Sequence, residues 1–241
     1  MPLVSIVIPV FNEERTLLTL LDRVRSAPLP EGVTCEWILV DDCSRDGSPA
    51  ILAALPPDPR LKVLTHPRNG GKGAALHTGF SAAQGDWILI QDADLEYSPQ
   101  DYPQLLAPLV AGTADVVYGS RFLANSVTRV HHYSLHRLAN LGLTWLSNLL
   151  SGLRLTDMET CYKVFRRDIL ATVVLHEPRF GFEPEFSAHL GRLARREGLR
   201  IAEVPISYHG RSYAEGKKIK FSDALEALYC IVRYNLLARF S

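Results

Sequence analysis

The chain has 241 residues, enough for one large α/β domain or two small ones with a core that needs no cross-links. Its 26 basic and 26 acidic residues cancel, which argues against a nucleic-acid partner recognised through bulk charge. The four cysteines lack paired metal-site spacing, the start lacks the features of a signal peptide, and no apolar run reaches the ~18 residues of a membrane span. We therefore expect a globular, cytoplasmic protein, one that can still bind peripherally to a membrane surface.

Strands and helices alternate over the first half of the chain. Residues 3–10 form a nearly continuous β-branched run, which is typical of a central parallel strand covered on both faces. The alternation with short loops predicts an α/β fold, a doubly wound, mostly parallel sheet flanked by helices. The predicted strands are residues 3–10, 35–40, 61–64, 87–91 and 115–118, and the predicted helices begin near residues 12, 48, 73 and 100.

Acidic residues follow three of these predicted strands. Glu13 follows the first strand, Asp41 and Asp42 end the second, and Asp92 and Asp94 end the fourth. In a doubly wound sheet, ligands bind outside the carboxyl ends of the strands. These carboxylates are far apart in sequence, and we expect them to converge on one edge of the sheet.

The acidic side chains after the fourth strand, Asp92, Asp94 and Glu96, have the chemistry of a divalent-cation site. If the chain stays extended, all three share one side. Mg²⁺ and Mn²⁺ prefer oxygen ligands, take one or two carboxylates from the protein, and fill the remaining positions with water and phosphate oxygens. An isolated D-x-D is more often a solvated turn or a helix cap. The other converging carboxylates favour a metal site for a phosphorylated ligand.

Residues 69–73 (NGGKG) open the third predicted helix. They do not match G-x-x-x-x-G-K-[ST], and no G-x-G-x-x-G follows the first strand, so neither a P-loop nor a classical dinucleotide site is supported. Lys72 near a helix N-terminus can face a phosphate. A plain glycine-rich helix start is an equally good interpretation.

The regular alternation stops at Gly119, where loops, aromatic residues and helices follow. Residues 121–167 carry seven Lys or Arg against two acids, which suits an anionic ligand or a solvated basic face. Residues 138–150 form a helix that is apolar on nearly all sides, so we expect it to be buried or to rest in an interface. Residues 180–185 (FGFEPE) add two acids and aromatic side chains that we expect to be exposed. The final helix, residues 222–240, is expected to bury Leu225, Leu228, Tyr229, Val232 and Leu236.

Seven short segments run in a fixed order along nearly the whole chain. They are IPVFNEE (8–14), VDD (40–42), NGGKG (69–73), QDADLE (91–96), GSRF (119–122), LTDMETCYK (155–163) and residues 211–217. In this order they resemble the inverting family 2 glycosyltransferases, which have the GT-A fold. The branch that they resemble most is that of the polyprenyl-phosphate glycosyltransferases, such as the dolichyl-phosphate mannose and glucose synthases.

The resemblance implies a role for each matching residue. The implied nucleoside contacts are Pro9, Phe11, Glu13, Val40, Asp42, Asp92 and Ala93, and Asp41 and Lys72 join the implied substrate-binding residues. Asp94 and Glu96 would bind the Mg²⁺ or Mn²⁺ ion that bridges the diphosphate. The implied phosphate contacts are Arg121, Arg211 and Lys217. Asp157 and Glu159 would face the reacting sugar and, with Asp94, form the implied catalytic set.

The resemblance also implies a domain organisation and a function. A single GT-A domain would cover residues 1–241, with a nucleotide-sugar half (1–119), an acceptor half (120–210), and a phosphate-contacting loop with a C-terminal helix (211–241). The implied reaction moves a hexose, with inversion and with metal dependence, from a nucleotide sugar to polyprenyl phosphate. UDP-glucose and GDP-mannose are the implied donors, undecaprenyl or dolichyl phosphate is the implied acceptor, and the cytoplasmic face of a membrane is the implied place.

The acceptor decides whether a general base is needed. A phosphate monoester, with its second pKa at about 6, is already largely ionised at pH 7, whereas a sugar hydroxyl is not. For a hydroxyl acceptor Asp157 is the candidate base; for a lipid phosphate it orients the sugar or balances the arginines. Its structural alternative is a helix cap. Two other functions stay open: a family 2 enzyme acting on a hydroxyl of a glycan or glycolipid, and a non-catalytic nucleotide-sugar binding module.

Overall fold

The computed structural model describes residues 1–129, 134–211 and 221–237, so Lys217, an implied phosphate contact, lies outside the described residues. Nine strands are present in the described ranges. In chain order they are β1 Leu3–Val10, β2 Thr34–Asp41, β3 Leu61–Thr65, β4 Trp87–Ile90, β5 Val116–Ser120, β6 Thr128–Arg129, β7 Lys163–Arg166, β8 Ile201–Pro205 and β9 Tyr208–His209.

Seven of these strands form one sheet, in the order β3-β2-β1-β4-β7-β5-β8. Strand β7 runs antiparallel to its neighbours β4 and β5, and the other pairs in this sheet are parallel. Strands β6 and β9 pair separately with each other. The predicted doubly wound, mostly parallel sheet is therefore confirmed.

Helices pack around this sheet. In chain order they are α1 Leu17–Arg25, α2 Ser48–Ala53, α3 Lys72–Ala82, α4 Tyr102–Val110, α5 Ser134–Ser151, α6 Phe182–Glu197 and α7 Phe221–Leu236. Two short 3₁₀ helices, Pro99–Asp101 and Arg167–Ala171, precede α4 and follow β7.

Strand β1 lies near the middle of the sheet because its β-branched side chains can be covered on both faces. Val4, Ile6, Val7 and Ile8 are buried, as parallel strands with helices on both sides require. Helix α3 approaches β1 so closely that a Cβ atom at Gly79 would lie 2.3 Å from Val7 Cγ1. A glycine is needed at this contact.

The first predicted helix begins later than expected. Asn12 does not cap it; its φ of 52° places it in the left-handed region, and α1 starts at Leu17. Because the backbone turns at Asn12, Glu13 lies in a loop beyond the end of β1, and its side chain is buried.

Strand β7 and helix α6 in the second half were not predicted. Strand β7 has only four residues and pairs between β4 and β5, far from its sequence neighbours. Helix α6 starts within residues 180–185, and the expectation of exposed aromatics there is wrong for Phe182, which is fully buried and stacks on Phe186 at 5.5 Å.

Of the two settings expected for the helix at residues 138–150, full burial is wrong, and an interface stays a prediction. In α5, Leu143, Leu146 and Leu150 pack against the core, but a second stripe faces outward. Leu138 and Trp145 are each 66% exposed. The exposed stripe of α5 consists of Leu138, Leu141, Trp145 and Leu149.

The predicted inner face of the last helix is also wrong. Helix α7 packs on α5 and α6 through Ala227, Cys230, Ile231 and Tyr234, which are buried. Cys230 lies so close to Gly181 that a Cβ there would be 2.7 Å from its sulfur. The exposed stripe of α7 consists of Leu225, Leu228, Tyr229, Val232 and Leu236.

In the described part of the chain, no helix has the length and apolar character needed to cross a bilayer.

Candidate active site

The candidate site lies at the carboxyl ends of β1, β2, β4 and β5. Glu13 follows β1, Asp41 is the last residue of β2, residues 91–96 follow β4, and Arg121 follows β5. The register between β1 and β2 pairs Val10 with Asp41, which brings these two strand ends to the same edge. The convergence expected from the strand order is observed.

One guanidinium links two of the converging carboxylates. Arg211 donates to both oxygens of Glu13, at 3.2 and 3.3 Å, and to Asp94 Oδ2 at 3.1 Å. The Arg211 side chain is only 15% exposed. Burial acts to lower its pKa, but the charges of Asp94 and Glu13 outweigh burial, so its pKa is raised and the group stays charged.

Glu96, the second implied metal ligand, already has both carboxylate oxygens hydrogen-bonded. The chain turns at Leu95, whose φ is 64°, so the extended geometry predicted for residues 92–96 is wrong. Glu96 Oε2 accepts a hydrogen bond from the Tyr208 hydroxyl at 2.7 Å, and Oε1 accepts one from the Arg211 backbone N–H at 2.7 Å. Glu96 thereby holds the start of the segment that carries the Arg211 side chain.

The chemistry of this carboxylate cluster fits a divalent cation. Burial raises the pKa of Asp94 to about 8, the charges of Glu96 and Asp92 act in the same direction, and the charge of Arg211 acts to lower it. Its donors are carboxylate oxygens, which Mg²⁺ and Mn²⁺ prefer. The guanidinium of Arg211 already stands among them as a cation. Within the described ranges, no group of three or more His, Cys, Asp or Glu side chains is arranged to hold a metal ion.

Asp42 organises the loop that precedes α3. Its buried carboxylate accepts hydrogen bonds from the Gly70 and Gly71 backbone N–H groups, at 2.8 and 2.7 Å, and from the Asn69 amide at 2.7 Å. The His66 ring nitrogen Nδ1 lies 2.7 Å from Asp42 Oδ1, the oxygen that also accepts from Gly70. Four partners thus hold a residue implied to contact the nucleoside.

The remaining implied nucleoside contacts lie on or beside the same strands. Pro9 pairs in register with Val40 between β1 and β2. Asp41 is buried and accepts from the Ser44 backbone N–H at 3.1 Å. Ala93 is buried in the turn after β4, and Phe11, at the end of β1, is half-buried. Their contact with a nucleoside stays a prediction.

Lys72 lies among carboxylates. It is the first residue of α3, and its ammonium lies 3.0 Å from Asp92 Oδ1 and 3.1 Å from Glu183 Oε1. The backbone N–H of Ala74 donates to the Pro178 carbonyl at 2.9 Å, so this N–H of the first turn of α3 is already satisfied. Contact of Lys72 with a phosphate therefore stays a prediction.

Asp157 is clamped by Arg121. The carboxylate is fully buried, and it accepts from Arg121 Nε at 2.7 Å, Nη2 at 2.8 Å and the backbone N–H at 3.0 Å. The Arg121 guanidinium also lies over the Tyr208 ring, 5.0 Å from its centroid. Burial acts to lower the pKa of Arg121, but Asp157 raises it well above its usual value.

Glu159 lies in the same segment, where polar atoms are buried without partners. Burial raises the pKa of Glu159 to about 8, with the charge of Glu183 as the next cause. Glu159 Oε1, Thr160 Oγ1 and Glu183 Oε2 have no hydrogen-bond partner among the residues that the structure describes. Lys163 is fully buried beside them and donates to the Thr160 carbonyl.

Sequence reasoning assigned no role to Tyr208 or Glu183. The signal for Glu183 was available, because residues 180–185 carry two carboxylates on an apolar background. Tyr208 gave none, since β9 belongs to a separate two-stranded sheet and reaches Glu96 only in the folded chain.

The chain is similar in sequence to proteins of one family. A family model described as Glycosyl transferase family 2 matches residues 5–174. The chain is 31% identical over 216 residues to the undecaprenyl-phosphate 4-deoxy-4-formamido-L-arabinose transferase of Shewanella sediminis, covering 89% of this chain and 61% of that protein. It is 30% identical over 231 residues to the transferase of the same name from Salmonella paratyphi B, covering 95% and 66%. The chain thus spans less than two thirds of the length of these curated relatives.

Solved structures share the fold at lower identity. Glucosyl-3-phosphoglycerate synthase from Mycobacterium tuberculosis, in complex with Mn²⁺, UDP and glucosyl-3-phosphoglycerate, has a TM-score of 0.71 and 22% identity, with 97% of this chain and 80% of that chain covered. The same enzyme with Mg²⁺ and UDP has a TM-score of 0.69 and 21% identity, covering 97% and 79%.

Proposed function

Because the chain belongs to glycosyl transferase family 2, we propose that it transfers one sugar from a nucleoside-diphosphate sugar to the phosphate of a polyprenyl phosphate. The names of the undecaprenyl-phosphate transferases support this acceptor. The Mycobacterium synthase, whose structures contain UDP, supports a uridine nucleotide in the donor. UDP-glucose and GDP-mannose are the first donors to test.

The contact between Asp157 and Arg121 favours a phosphate over a hydroxyl as the acceptor. Both carboxylate oxygens of Asp157 accept hydrogen bonds from Arg121, so Asp157 is poorly placed to remove a proton from a hydroxyl. A phosphate acceptor needs no such base, because its second pKa is about 6. Asp157 is then a positioning residue, which holds Arg121 charged and oriented towards a phosphate.

Positive charge in the site would stabilise the departing diphosphate. Cleavage of the glycosyl–phosphate bond leaves negative charge on the diphosphate, and Arg211 is a guanidinium held at the strand ends by Glu13 and Asp94. A Mg²⁺ or Mn²⁺ ion held through Asp94 would act there as a Lewis acid. Glu96, the second implied ligand, would have to exchange its contacts with Tyr208 and Arg211 to join it.

Transfer of radiolabelled sugar by the purified protein tests the proposal. We expect a lipid-linked product from undecaprenyl phosphate in the presence of Mn²⁺, and none from undecaprenol, which carries a hydroxyl in place of the phosphate. The rate should fall as the pH drops below about 6, where the acceptor phosphate takes up a proton. Transfer to a glycan or glycolipid hydroxyl, with no product from the lipid phosphate, would instead establish the alternative acceptor.

The exposed stripes of α5 and α7 support a place at the surface of a membrane. They display large apolar side chains on two helices that pack against each other. Residues 134–151 contain no acid, so α5 brings no negative charge to anionic headgroups. On α7, Asp223 and Glu226 each lie 3.8 Å from Arg179. We therefore assign the two stripes to the lipid surface from which the acceptor is drawn.

Flotation with liposomes that contain anionic lipid tests this assignment. Leu138→Ser combined with Leu149→Ser should reduce the bound fraction severalfold, because about 25 cal/mol is lost for each Å² of apolar surface no longer buried. Leu18→Ser on α1, where Leu18 is 53% exposed, makes the same chemical change elsewhere and should bind like the unchanged protein. Equal flotation of all three proteins would rule the stripes out.

A further inference from the structure

One carboxylate oxygen of Glu183 forms an ion pair, and the other has no hydrogen-bond partner among the described residues. It lies in the first turn of α6 with 4% of its surface exposed. Its Oε1 lies 3.1 Å from the Lys72 ammonium, whereas its Oε2 is buried and has no hydrogen-bond partner among the described residues. A buried carboxylate oxygen without a donor costs free energy, which a ligand that donates to it recovers.

The surroundings place this oxygen beside the strand ends. Lys72 also binds Asp92, which follows β4 by two residues. The segment of Glu159 and Thr160 is held at the same strand end, because the Cys161 backbone N–H donates to the Tyr97 hydroxyl at 3.1 Å. Glu183 therefore lies in a buried region bounded by the loop after β4, the start of α3 and the segment at residues 159–163.

The same buried region holds other polar atoms without partners. Glu159 Oε1 and Thr160 Oγ1 are buried there and make no hydrogen bond to any described residue. The charge of Glu183 is the strongest charge effect on Glu159, where it adds to burial in raising the pKa of that group. Two carboxyl groups and a hydroxyl thus lie in one region with polar atoms that lack a partner, and the charged one, Glu183, needs a donor.

The chemistry of these atoms selects the kind of ligand. A diphosphate offers acceptors and negative charge, so it cannot satisfy Glu183. A sugar offers several O–H donors on adjacent carbons, which carboxylate oxygens accept well. The region adjoins Asp92, which Lys72 also binds and where the proposed function puts the nucleoside, so the sugar is the part of the donor that we expect beside Glu183.

We propose that Glu183 binds the transferred sugar by accepting a hydrogen bond from one of its hydroxyl groups, while Lys72 holds the carboxylate in position. The inference rests on the proposed function for the identity of the donor as a nucleoside-diphosphate sugar. It makes Glu183 a residue that selects among donor sugars and leaves the base and the diphosphate to other groups.

Binding of UDP-glucose and of UDP, each with Mn²⁺, to Glu183→Gln tests the assignment. Glutamine keeps the size, and its carbonyl oxygen can accept from Lys72, but its NH₂ group cannot accept from a hydroxyl. By titration calorimetry we expect the variant to bind UDP-glucose about tenfold more weakly than the unchanged protein does. Its Kd for UDP should stay within about twofold of that of the unchanged protein. Glu197→Gln, exposed near the end of the same helix, should change neither affinity.

Deoxy analogues of UDP-glucose locate the contact. For the analogue that lacks the hydroxyl bound by Glu183, the affinity ratio between the unchanged protein and Glu183→Gln should fall to about one. A purely structural role, in which Glu183 only holds Lys72, predicts equal weakening of UDP and UDP-glucose, and that result would overturn the assignment.

The outcome separates this assignment from the proposed function. If the unchanged protein binds UDP and UDP-glucose but transfers nothing to polyprenyl phosphate, the proposed acceptor is wrong and the role of Glu183 stands. GDP and GDP-mannose form a second matched pair of probes. If neither pair binds, both the donor class and the assignment of Glu183 are overturned.

Discussion

At the scale of single residues, Arg211 has two possible sets of partners. In the structure its guanidinium binds Glu13 and Asp94, which otherwise repel each other in a site with little water. A divalent cation at Asp94 would compete for the same oxygens. Arg211 is then released from Asp94 and becomes available to a diphosphate, so the same side chain would serve the metal-free and the substrate-bound protein.

Arg211→Ala should therefore respond more strongly to metal than the unchanged protein. Without a cation the Glu13 and Asp94 carboxylates repel each other, so we expect a lower melting temperature in the absence of Mn²⁺ and a larger rise on its addition. Mn²⁺ binding without nucleotide should tighten by about tenfold, or about 1.4 kcal/mol, and UDP binding should weaken.

Scanning fluorimetry and calorimetry measure these effects. Arg60→Ala is the matched control, because Arg60 forms a surface ion pair with Asp58 and its side chain is 59% exposed. The same Mn²⁺ response in Arg211→Ala and in the unchanged protein would show that Arg211 does not compete with the metal.

Glu159 makes stability depend on pH. Burial, followed by the charge of Glu183, raises its pKa to about 8 in the folded protein, against about 4.3 in an unfolded chain. The folded state then holds the proton more tightly, so this contribution to stability is full below about pH 4.3 and is lost as pH rises to about 8. Glu159→Gln has no ionisable group at this position, so it removes this pH-dependent loss of stability.

The melting temperature of Glu159→Gln, relative to the unchanged protein, should therefore rise between pH 5 and pH 8. The exposed Glu197→Gln provides the control and should show no such trend. An equal difference at both pH values would mean that Glu159 ionises normally in the folded protein.

At the scale of elements, α7 shows why periodicity does not select the buried face. Its sequence has two apolar stripes at helical spacing, and the more bulky one, with Leu225, Leu228 and Tyr229, is exposed. Contact with α6 and Gly181 selects the stripe with Ala227 and Cys230, whose smaller side chains permit a close approach.

A matched pair of substitutions in α7 tests which face is buried. Ile231→Ala should lower the free energy of unfolding by about 2–5 kcal/mol, because Ile231 is fully buried. Leu228→Ala should change it by about 0.5 kcal/mol or less, since Leu228 is 41% exposed. Urea denaturation measures both, and the reverse order of the two effects would support the face predicted from sequence.

At the scale of the whole molecule, the sheet brings distant residues to one edge, so a nucleotide should stabilise the entire fold. UDP with Mn²⁺ at about 100 times its Kd should add about 2.7 kcal/mol, which corresponds to a rise of about 5–10 °C in Tm for a chain of this size. Asp94→Ala should lose the Mn²⁺-dependent part of the rise, whereas Asp58→Ala, in a surface ion pair, should keep it. A full rise in Asp94→Ala would remove Asp94 from the metal site.

Local pattern was sufficient for the first half of the fold and for the family. The five predicted strands are present within one or two residues, because apolar β-branched runs between short loops need no distant partner to be recognised. The GT-A fold and the glycosyltransferase class, inferred from the order of short motifs, are confirmed by the family match and the fold neighbours. The positions of the acidic residues at the strand ends could therefore be predicted from the sequence.

Tertiary contacts decided how those residues are used. The sequence by itself determined that carboxylates follow β1, β2 and β4, since strand ends are local features. Only the tertiary structure decided that Arg211 lies between Glu13 and Asp94 and that Arg121 occupies Asp157. Each of these contacts joins residues 36 to 198 positions apart, and the burial that makes them strong exists only once the sheet has formed.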